Sequence, residues 1–261
     1  MGRIVRIGLC TSTDGLPAPV EGLAFIEPTV ASLLCPGKDE AAFEAALAGA
    51  RAAPVPPAAV NCFFPGTLKN VGPDVDAAAL DAWVETTCRR ARAAGVKTVV
   101  FGSGGSRSVP DGFDRDRAAE QLTENLRRYG PIAAEHGVTI VLEPLNSHDC
   151  NFVNSVDAAA EFVRAAGHPN IRLLVDTYHM ATDGDPPDAI RRAAGLMAHA
   201  HCAEGDGRGP LGAVGEDQRP YFRAMKDAGY DGPVSLECTW RDVASQIAPA
   251  VTELRRQWEA A

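Results

Sequence analysis

Two short apolar runs that each end in a carboxylate decide the fold: Val138-Thr-Ile-Val-Leu-Glu143 and Ile171-Arg-Leu-Leu-Val-Asp176. Similar runs recur along the chain, and alanine-rich stretches with helical spacing lie between them. The predicted strands are Val5–Cys10, Leu23–Glu27, Ala58–Phe63, Lys97–Gly102, Val138–Glu143, Arg172–Asp176, Met197–Cys202 and Val234–Glu237. The predicted helices include Ala77–Ala94, Arg115–His136, Ser155–Ala166, Asp188–Ala194 and Val243–Trp258, and several of these stop at a glycine.

Alternation of strands and helices predicts a parallel sheet with right-handed crossovers. Eight such repeats in 261 residues match the length of a (β/α)8 TIM barrel, which needs about 250 residues. A doubly wound sheet more often has fewer strands and a glycine-rich GxGxxG turn after the first strand, where this chain has Thr11-Ser-Thr-Asp-Gly15. We therefore predict an α/β protein with a single TIM-barrel domain over residues 1–261.

The composition and net charge of the chain disfavour several classes of protein. The chain is 46% hydrophobic and 23% charged, with a formal net charge of -9, whereas a nucleic-acid binder needs a basic surface for phosphate contacts. No apolar run approaches the roughly 20 residues that span a bilayer, and the stretch from Met1 to Arg6 does not resemble a secretory signal. The seven cysteines never form a CxxC pair, so neither a disulfide framework nor a cysteine zinc site is expected. We predict a cytoplasmic protein without nucleic-acid or membrane partners.

Candidate metal ligands occur where the last four predicted strands end. In a barrel, catalytic groups lie at the carboxyl ends of the strands, and these positions hold Glu143, Asp176, His201 and Glu237. Three buried carboxylates and an imidazole are best compensated by a divalent cation. Oxygen and imidazole ligands favour Mn2+, with Mg2+, Co2+ and Zn2+ as alternatives. His199 shares a strand face with His201 one layer deeper, so we expect a core histidine there.

The second half of the chain resembles the sugar phosphate isomerase/epimerase superfamily of xylose-isomerase-like barrels, which includes ketose 3-epimerases and hydroxypyruvate isomerases. The resemblance rests on Val-Leu-Glu143-Pro-Leu-Asn, Val-Asp176-Thr-Tyr-His179-Met, His-Ala-His201-Cys-Ala-Glu204 and Ser-Leu-Glu237. It implies that the four candidate ligands bind the metal, that Glu143 and Glu237 act as acid and base, and that His179 and Arg208 contact substrate oxygens. Gly205-Asp-Gly207 makes the loop before Arg208 slightly longer than in ketose epimerases. Barrels of this group often form homo-oligomers, dimers or tetramers.

The same four residues suit proton transfer next to a carbonyl group. A metal acting as a Lewis acid stabilises the enediolate that forms, and a carboxylate takes the proton. The predicted function is thus a divalent-metal-dependent isomerase or epimerase of a small sugar or keto-sugar. The enediolate has three possible fates. If two glutamates on opposite sides remove and return the proton, a stereocentre is inverted, whereas if one glutamate carries out both transfers the substrate is isomerised. If the enediolate loses a β-hydroxyl group, the enzyme is a dehydratase.

Three alternatives accompany this prediction. The first is a dehydratase or lyase of a keto-polyol that uses the same site. The second is a DNA-repair enzyme of the related endonuclease IV type, which the net charge of -9 disfavours. The third is a barrel without catalytic activity that serves as a binding subunit, against which the intact ligand set argues.

Three weaker signals concern the mouth of the barrel. Asn61 ends the third predicted strand and Glu204 follows the seventh, so both are candidate substrate contacts; Glu27 and Cys62 are candidate lining residues. The glycine-rich stretch from Gly102 to Arg107 fits two hypotheses. Its backbone N–H groups and arginine hold a phosphate or sugar hydroxyls, or it is a tight loop that needs positive φ.

Overall fold

Eight parallel strands form the central sheet in the computed structural model, which describes residues 5–261. They are β1 Ile7–Cys10, β2 Leu23–Glu27, β3 Ala59–Val60, β4 Thr98–Phe101, β5 Thr139–Leu142, β6 Ile171–Asp176, β7 Met197–Cys202 and β8 Val234–Leu236. All eight predicted strands are present, and β2 and β7 have the predicted bounds. The first four residues of the N-terminal stretch lie outside the described residues.

The sheet closes into a barrel. Its strand order is β2-β1-β8-β7-β6-β5-β4-β3, with every ladder parallel. The remaining seam lies between β2 and the residues before β3, where Ile26 N–H donates to Pro56 O at 3.0 Å and Ala58 N–H donates to Ile26 O at 3.2 Å. These bonds bring the two edges together, and the predicted (β/α)8 barrel is confirmed.

Helices surround the strands and follow them in the chain. They are α1 Val30–Leu33, α2 Glu40–Ala52, α3 Ala77–Ala94, α4 Gly104–Arg107, α5 Arg115–Glu135, α6 Val156–Ala166, α7 Thr177–Asp183, α8 Asp188–Arg192, α9 Arg219–Asp227 and α10 Val243–Ala260. Ser155 caps α6 by accepting from Ala158 N–H at 3.2 Å, and Gly95 and Gly167 end α3 and α6 in the left-handed conformation. No helix within residues 5–261 is long and apolar enough to cross a membrane.

The third strand is shorter than predicted. The sequence predicts Ala58–Phe63, but only Ala59–Val60 pairs as a strand. Pro56 and Pro57 before it lack the N–H group that a ladder needs. After it, Cys62 has φ of +53°, so the backbone leaves the extended conformation just beyond Asn61.

The side chains that point into the barrel form layers, because the strand register places residues of neighbouring strands at the same height. A small apolar cluster inside the barrel contains Val100, Val141 and Leu174, separate from the large core between strands and helices. Side chains alternate along a strand, so the next inward positions are two residues further on. These are Gly102, Glu143 and Asp176 on β4 to β6 and their ends. The sheet therefore places a polar layer directly above an apolar one, at the carboxyl end of the barrel.

Candidate metal centre

The four predicted metal ligands meet at the carboxyl ends of β5 to β8. Glu143 directly follows β5, Asp176 ends β6, His201 lies in β7 and Glu237 directly follows β8. One ligand atom from each lies within 4.8 Å of every other. Asp176 is fixed further because its carboxylate accepts from Tyr178 N–H at 2.9 Å, as the N-cap of α7. The barrel register thus brings together the four side chains whose positions predicted that they meet.

His201 lies between carboxylates on both sides of its ring. Nδ1 is 2.8 Å from Glu237 Oε2 and 3.2 Å from Glu143 Oε1, while Nε2 is 2.8 Å from Glu27 Oε1. Burial alone lowers the pKa of His201, but the charges of Glu27 and Glu237 outweigh it and hold the pKa well above the usual value. The surroundings of this ring therefore favour positive charge.

This donor set fits a divalent cation. Glu143 and Asp176 are almost completely buried, at 4% and 1% exposure, and buried carboxylates need a compensating charge. Three carboxylates and one imidazole nitrogen are ligands that Mn2+, Mg2+, Co2+ and Zn2+ accept. A cation among them would also occupy the side of His201 where Nδ1 faces two carboxylates. The residues present therefore form a plausible metal-binding cluster.

Arg208 reaches the same site from the loop after β7. Its Nη2 lies 3.0 Å from Asp176 Oδ2 and 2.5 Å from Glu237 Oε2, and its guanidinium covers the Tyr178 ring at 4.8 Å. Burial raises the pKa of Glu237, but His201 and Arg208 outweigh it and lower that pKa. Asp206–Arg208 form a one-turn helix in this loop, and Arg208 has φ of +54°. The structure thus places Arg208 beside two of the candidate ligands, and its contact with substrate oxygens stays a prediction.

His179 lines the cavity from α7, next to Asp176. Its Nδ1 accepts from Asn146 N–H at 3.2 Å and lies 2.8 Å from Asn146 Nδ2. Because both Asn146 groups donate, Nε2 carries the proton and lies 3.5 Å from Asp176 Oδ2. Asn146 lies in the motif that ends β5 but was not predicted as a functional residue, although an amide shortly after a strand end is a sequence signal for such a contact.

Asn61 lies at the mouth of the barrel, as predicted. It lines two adjoining cavities of about 420 and 290 Å³, which also share Cys62, Arg208 and Glu237. Volumes near 300 Å³ and above are typical of small-molecule sites. Asn61 Oδ1 is buried without a hydrogen-bond partner among the described residues, so its acceptor is not satisfied by the protein itself.

Glu204 occupies a different place from the predicted substrate contact. It is completely buried, and its carboxylate accepts from the backbone N–H groups of Gly212, Val214, Gly215 and Glu216 at 2.7 to 3.1 Å. It is absent from the lining of both cavities. These bonds use its oxygens to hold the loop after β7, so we no longer assign Glu204 to the substrate.

The stretch from Gly102 to Arg107 is neither a phosphate loop nor a positive-φ turn. Residues 104–107 form the short helix α4, and Arg107 is completely buried. Its guanidinium donates to Phe101 O at 2.7 Å and to Glu143 O. Arg107 therefore ties the end of β4 to the end of β5 and is unavailable to an anion, which corrects the first hypothesis; its glycines have no positive φ, which corrects the second.

Gly102 makes room for the carboxylate of Glu143. A Cβ atom at residue 102 would lie 1.8 Å from Glu143 Oε2. The absence of a side chain is therefore a requirement of the site and not of the local backbone. A glycine at the end of one strand that faces a carboxylate on the next strand is the sequence signal for this role. It could be interpreted only once the strand register was known.

Thiols contribute to the wall of the cavity. Cys10, Cys62 and Cys238 line its larger part. Burial and the nearby Glu237 raise the pKa of Cys62 to about 11, and burial and Glu27 raise the pKa of Cys10 well above its usual value. These thiols are therefore neutral near pH 7 and add no negative charge to the carboxylate cluster.

Curated relatives of this chain are isomerases and epimerases. A human protein named as a candidate hydroxypyruvate isomerase is 29% identical over 191 residues, covering 70% of this chain and 67% of that protein. The D-psicose 3-epimerase of Ruminiclostridium cellulolyticum is 32% identical over 132 residues, covering 48% of this chain. That match spans only 43% of the length of the epimerase.

Solved structures share the fold. The D-allulose 3-epimerase of Methylomonas sp., in complex with D-allulose, superposes with a TM-score of 0.79 at 19% identity and covers 98% of both chains. The IOLI protein, solved with a bound zinc atom, has a TM-score of 0.70 at 17% identity and covers 97% of this chain and 96% of that one. Identities this low show the fold alone.

A family model gives the assignment. The model described as xylose isomerase-like TIM barrel matches residues 22–259, which is most of the chain. The match includes all four residues of the carboxylate and histidine cluster. The resemblance inferred from the sequence is confirmed: this chain belongs to the xylose isomerase-like TIM barrel family.

Proposed function

We propose that this protein is a divalent-metal-dependent isomerase or epimerase of a small, unphosphorylated ketose or keto-sugar. The observation that carries the proposal is the convergence of Glu143, Asp176, His201 and Glu237 within 4.8 Å at the mouth of the barrel. The isomerase and epimerase names of the curated relatives support it. A cytoplasmic location and a carbohydrate as the partner belong to the same proposal.

The metal would be held by these four side chains, with Mn2+ as the proposed ion and Mg2+, Co2+ or Zn2+ as alternatives. When bound, a divalent cation supplies Lewis-acid polarisation of a carbonyl group. The remaining steps belong to the residues of the chain. Arg208 and His179, each with an N–H group near Asp176, are proposed to bind and orient substrate oxygens.

Glu143 and Glu237 are proposed as the acid and base. They follow β5 and β8, and β6 and β7 separate these strands in the sheet. The two carboxylates therefore approach from different parts of the wall, an arrangement that lets one remove a proton and the other return one on the opposite side. Proton transfer by a positioned carboxylate contributes about 10²- to 10⁴-fold to the rate.

The lining of the cavity supports a polyhydroxylated, uncharged substrate. Its larger part contains the hydroxyl and amide side chains Thr11, Ser12, Thr29, Ser32, Asn61 and Thr239. Among the described lining residues, Arg208 is the one Arg or Lys side chain, and it already contacts two carboxylates. A phosphorylated sugar would therefore lack a free cationic partner in the cavity.

Solvent deuterium exchange tests the proposal. The metal-loaded protein is incubated in D2O with ketoses, their phosphates and keto-acids, and NMR identifies the carbon that acquires deuterium. We expect exchange next to the carbonyl of an unphosphorylated ketose, and none with the metal-free protein. The product distinguishes the reactions: an inverted centre indicates an epimerase, a moved carbonyl an isomerase and loss of water a dehydratase. Absence of exchange across the panel would overturn the proposal.

A further inference from the structure

A second buried polar cluster adjoins the candidate metal centre. It consists of Glu27 on β2, His199 on β7 and Ser235 on β8, and it shares His201 with the metal centre. Glu27 is 1% exposed and the other three residues are completely buried. A carboxylate at this depth, with no role in the proposed chemistry, needs a physical explanation.

The hydrogen bonds of Glu27 determine which atoms carry protons. Its Oε1 lies 2.8 Å from His201 Nε2, and its Oε2 lies 2.8 Å from His199 Nε2. Ser235 Oγ donates to Oε2 at 2.7 Å. An ionised carboxylate only accepts hydrogen bonds. Both histidines therefore donate to it through Nε2–H.

The hydrogen bond to Glu27 turns Nδ1 of His201 towards the candidate metal centre. With one proton on Nε2, Nδ1 faces Glu237 Oε2 and Glu143 Oε1, 2.8 and 3.2 Å away, and carries the second proton of the positively charged ring until a cation replaces it. Nδ1 is then the atom available to a cation between these groups. A carboxylate behind a ligating histidine fixes the tautomer and ring orientation and raises the basicity of the ligand.

We propose that Glu27 is a positioning residue that holds His201 as the Nε2–H tautomer and presents Nδ1 to the divalent cation. The inference rests on the metal site of the proposed function. Glu27 is separated from the carboxylate cluster by the imidazole ring, so it acts on the cation through His201. The alternative, a cation bound directly by Glu27, His199 and His201, is geometrically open because their ligand atoms lie within 4.8 Å of one another.

Metal affinity tests the inference without recourse to activity. Mn2+ dissociation constants are measured by calorimetry and by electron paramagnetic resonance of free Mn2+ for the wild type, Glu27→Gln and Ser235→Ala. The glutamine cannot accept from all three donors, and we expect it to weaken binding about 10- to 100-fold. Ser235→Ala is the matched control because it removes a hydrogen bond to the same carboxylate while leaving the bond to His201. We expect its dissociation constant within about threefold of the wild type.

A spectroscopic readout keeps the test decisive if Glu27→Gln does not fold. Long-range 1H–15N correlation spectra of the wild-type Zn2+ complex report the tautomer of His201, which we expect to be Nε2–H. An Nδ1–H tautomer, an unchanged affinity in folded Glu27→Gln, or an equal loss in Ser235→Ala would overturn the inference. Two Mn2+ ions per chain would overturn it in favour of direct ligation. A wild type that binds no divalent ion would instead contradict the proposed function.

Discussion

Glu143 and Glu237 differ in how the structure supports them. The side chain of Glu143 is 6% exposed, and its backbone carbonyl accepts from the buried Arg107. The side chain of Glu237 is 24% exposed and contacts Arg208. Glu143 is therefore held by contacts within the barrel, whereas the carboxylate of Glu237 also contacts an arginine from a loop. Their roles as acid and base are testable one residue at a time.

We expect Glu143→Gln and Glu237→Gln each to lower solvent deuterium exchange into a ketose substrate by at least about 100-fold. The amide has nearly the same shape but cannot accept a proton, and general-base contributions are about 10²- to 10⁴-fold. Exchange is followed by NMR, and circular dichroism checks the fold. Glu124→Gln, on the exposed side of α5, is the control. Exchange at the wild-type rate in either site variant would contradict the assigned role.

At the scale of elements, the ends of β4 and β5 form one unit. Arg107 of α4 donates to a carbonyl at the end of β4 and to Glu143 O after β5. Gly102 lies between them and leaves space for the Glu143 carboxylate. Burial lowers the pKa of Arg107, and its two carbonyl acceptors offset part of the cost of burying the charge. This unit sets the position of one candidate ligand.

We expect Gly102→Ala to displace the Glu143 carboxylate, because the added Cβ would lie 1.8 Å from Oε2. Overpacking of this kind costs about 1 to 3 kcal/mol of stability. Mn2+ affinity and deuterium exchange should both fall at least about tenfold, since the displaced group is the proposed metal ligand and base. Gly105→Ala is the matched control, because its Cβ would meet only Gly66 Cα at 3.4 Å. Equal Mn2+ affinity in the two variants would refute this role of Gly102.

The loop after β7 is a second element whose position depends on a buried carboxylate. Glu204 binds backbone N–H groups between residues 212 and 216, and Glu216 in turn accepts from Gly205 N–H at 2.6 Å. Arg208 lies in the segment between these anchors. The two glutamates thus hold both ends of the loop that carries the arginine of the site.

In Glu204→Gln, amide protons between residues 212 and 216 should exchange with solvent at least about tenfold faster than in the wild type. The amide group has one acceptor oxygen, and hydrogen bonds to a charged acceptor contribute about 1.5 to 3 kcal/mol each. Hydrogen exchange followed by mass spectrometry measures this, with Glu161→Gln on the exposed side of α6 as the control. Unchanged exchange together with a raised KM would restore Glu204 as a substrate contact.

At the scale of the whole molecule, the candidate metal centre joins strands from distant parts of the chain. Its ligands come from four strands, β5 to β8, and the sheet closes only through the seam beside β2. A cation that binds the folded barrel and not the unfolded chain stabilises the entire fold. Metal removal is therefore expected to affect global stability as well as activity.

Chelation should lower the melting temperature by about 5 to 10 °C relative to protein in Mn2+ at 100 times its dissociation constant. Such binding contributes about 2.7 kcal/mol, and 1 kcal/mol corresponds to about 2 to 4 °C in a chain near this size. Differential scanning fluorimetry with and without Mn2+ measures the shift. Asp176→Asn, which lacks one ligand, should show little response. A wild-type melting temperature that changes with neither Mn2+ nor chelator would contradict a tight metal site.

The sequence by itself determined the barrel and the meeting point of its candidate ligands. Strand periodicity is local, and the carboxyl ends of parallel strands necessarily share one end of a barrel. Glu143, Asp176, His201 and Glu237 could therefore be placed together from their positions alone. Helix ends such as Ser155 and Gly167 were equally readable, because capping depends on neighbouring residues.

Only the tertiary structure decided how the remaining side chains are used. Glu27 and His201 are 174 residues apart and meet because the closed barrel brings β2 and β7 to the same interior. The side chains of Arg107 and Glu204 point into the protein because they form hydrogen bonds with backbone carbonyl and N–H groups there. The hydrophobic periodicity of the sequence does not predict these bonds. The positive φ of Arg208 is likewise uncommon for a residue other than glycine and was not predicted from the sequence. The direction of such side chains is set by contacts that form only in the folded protein, and these contacts distinguish the residues that line the candidate site from those that support it.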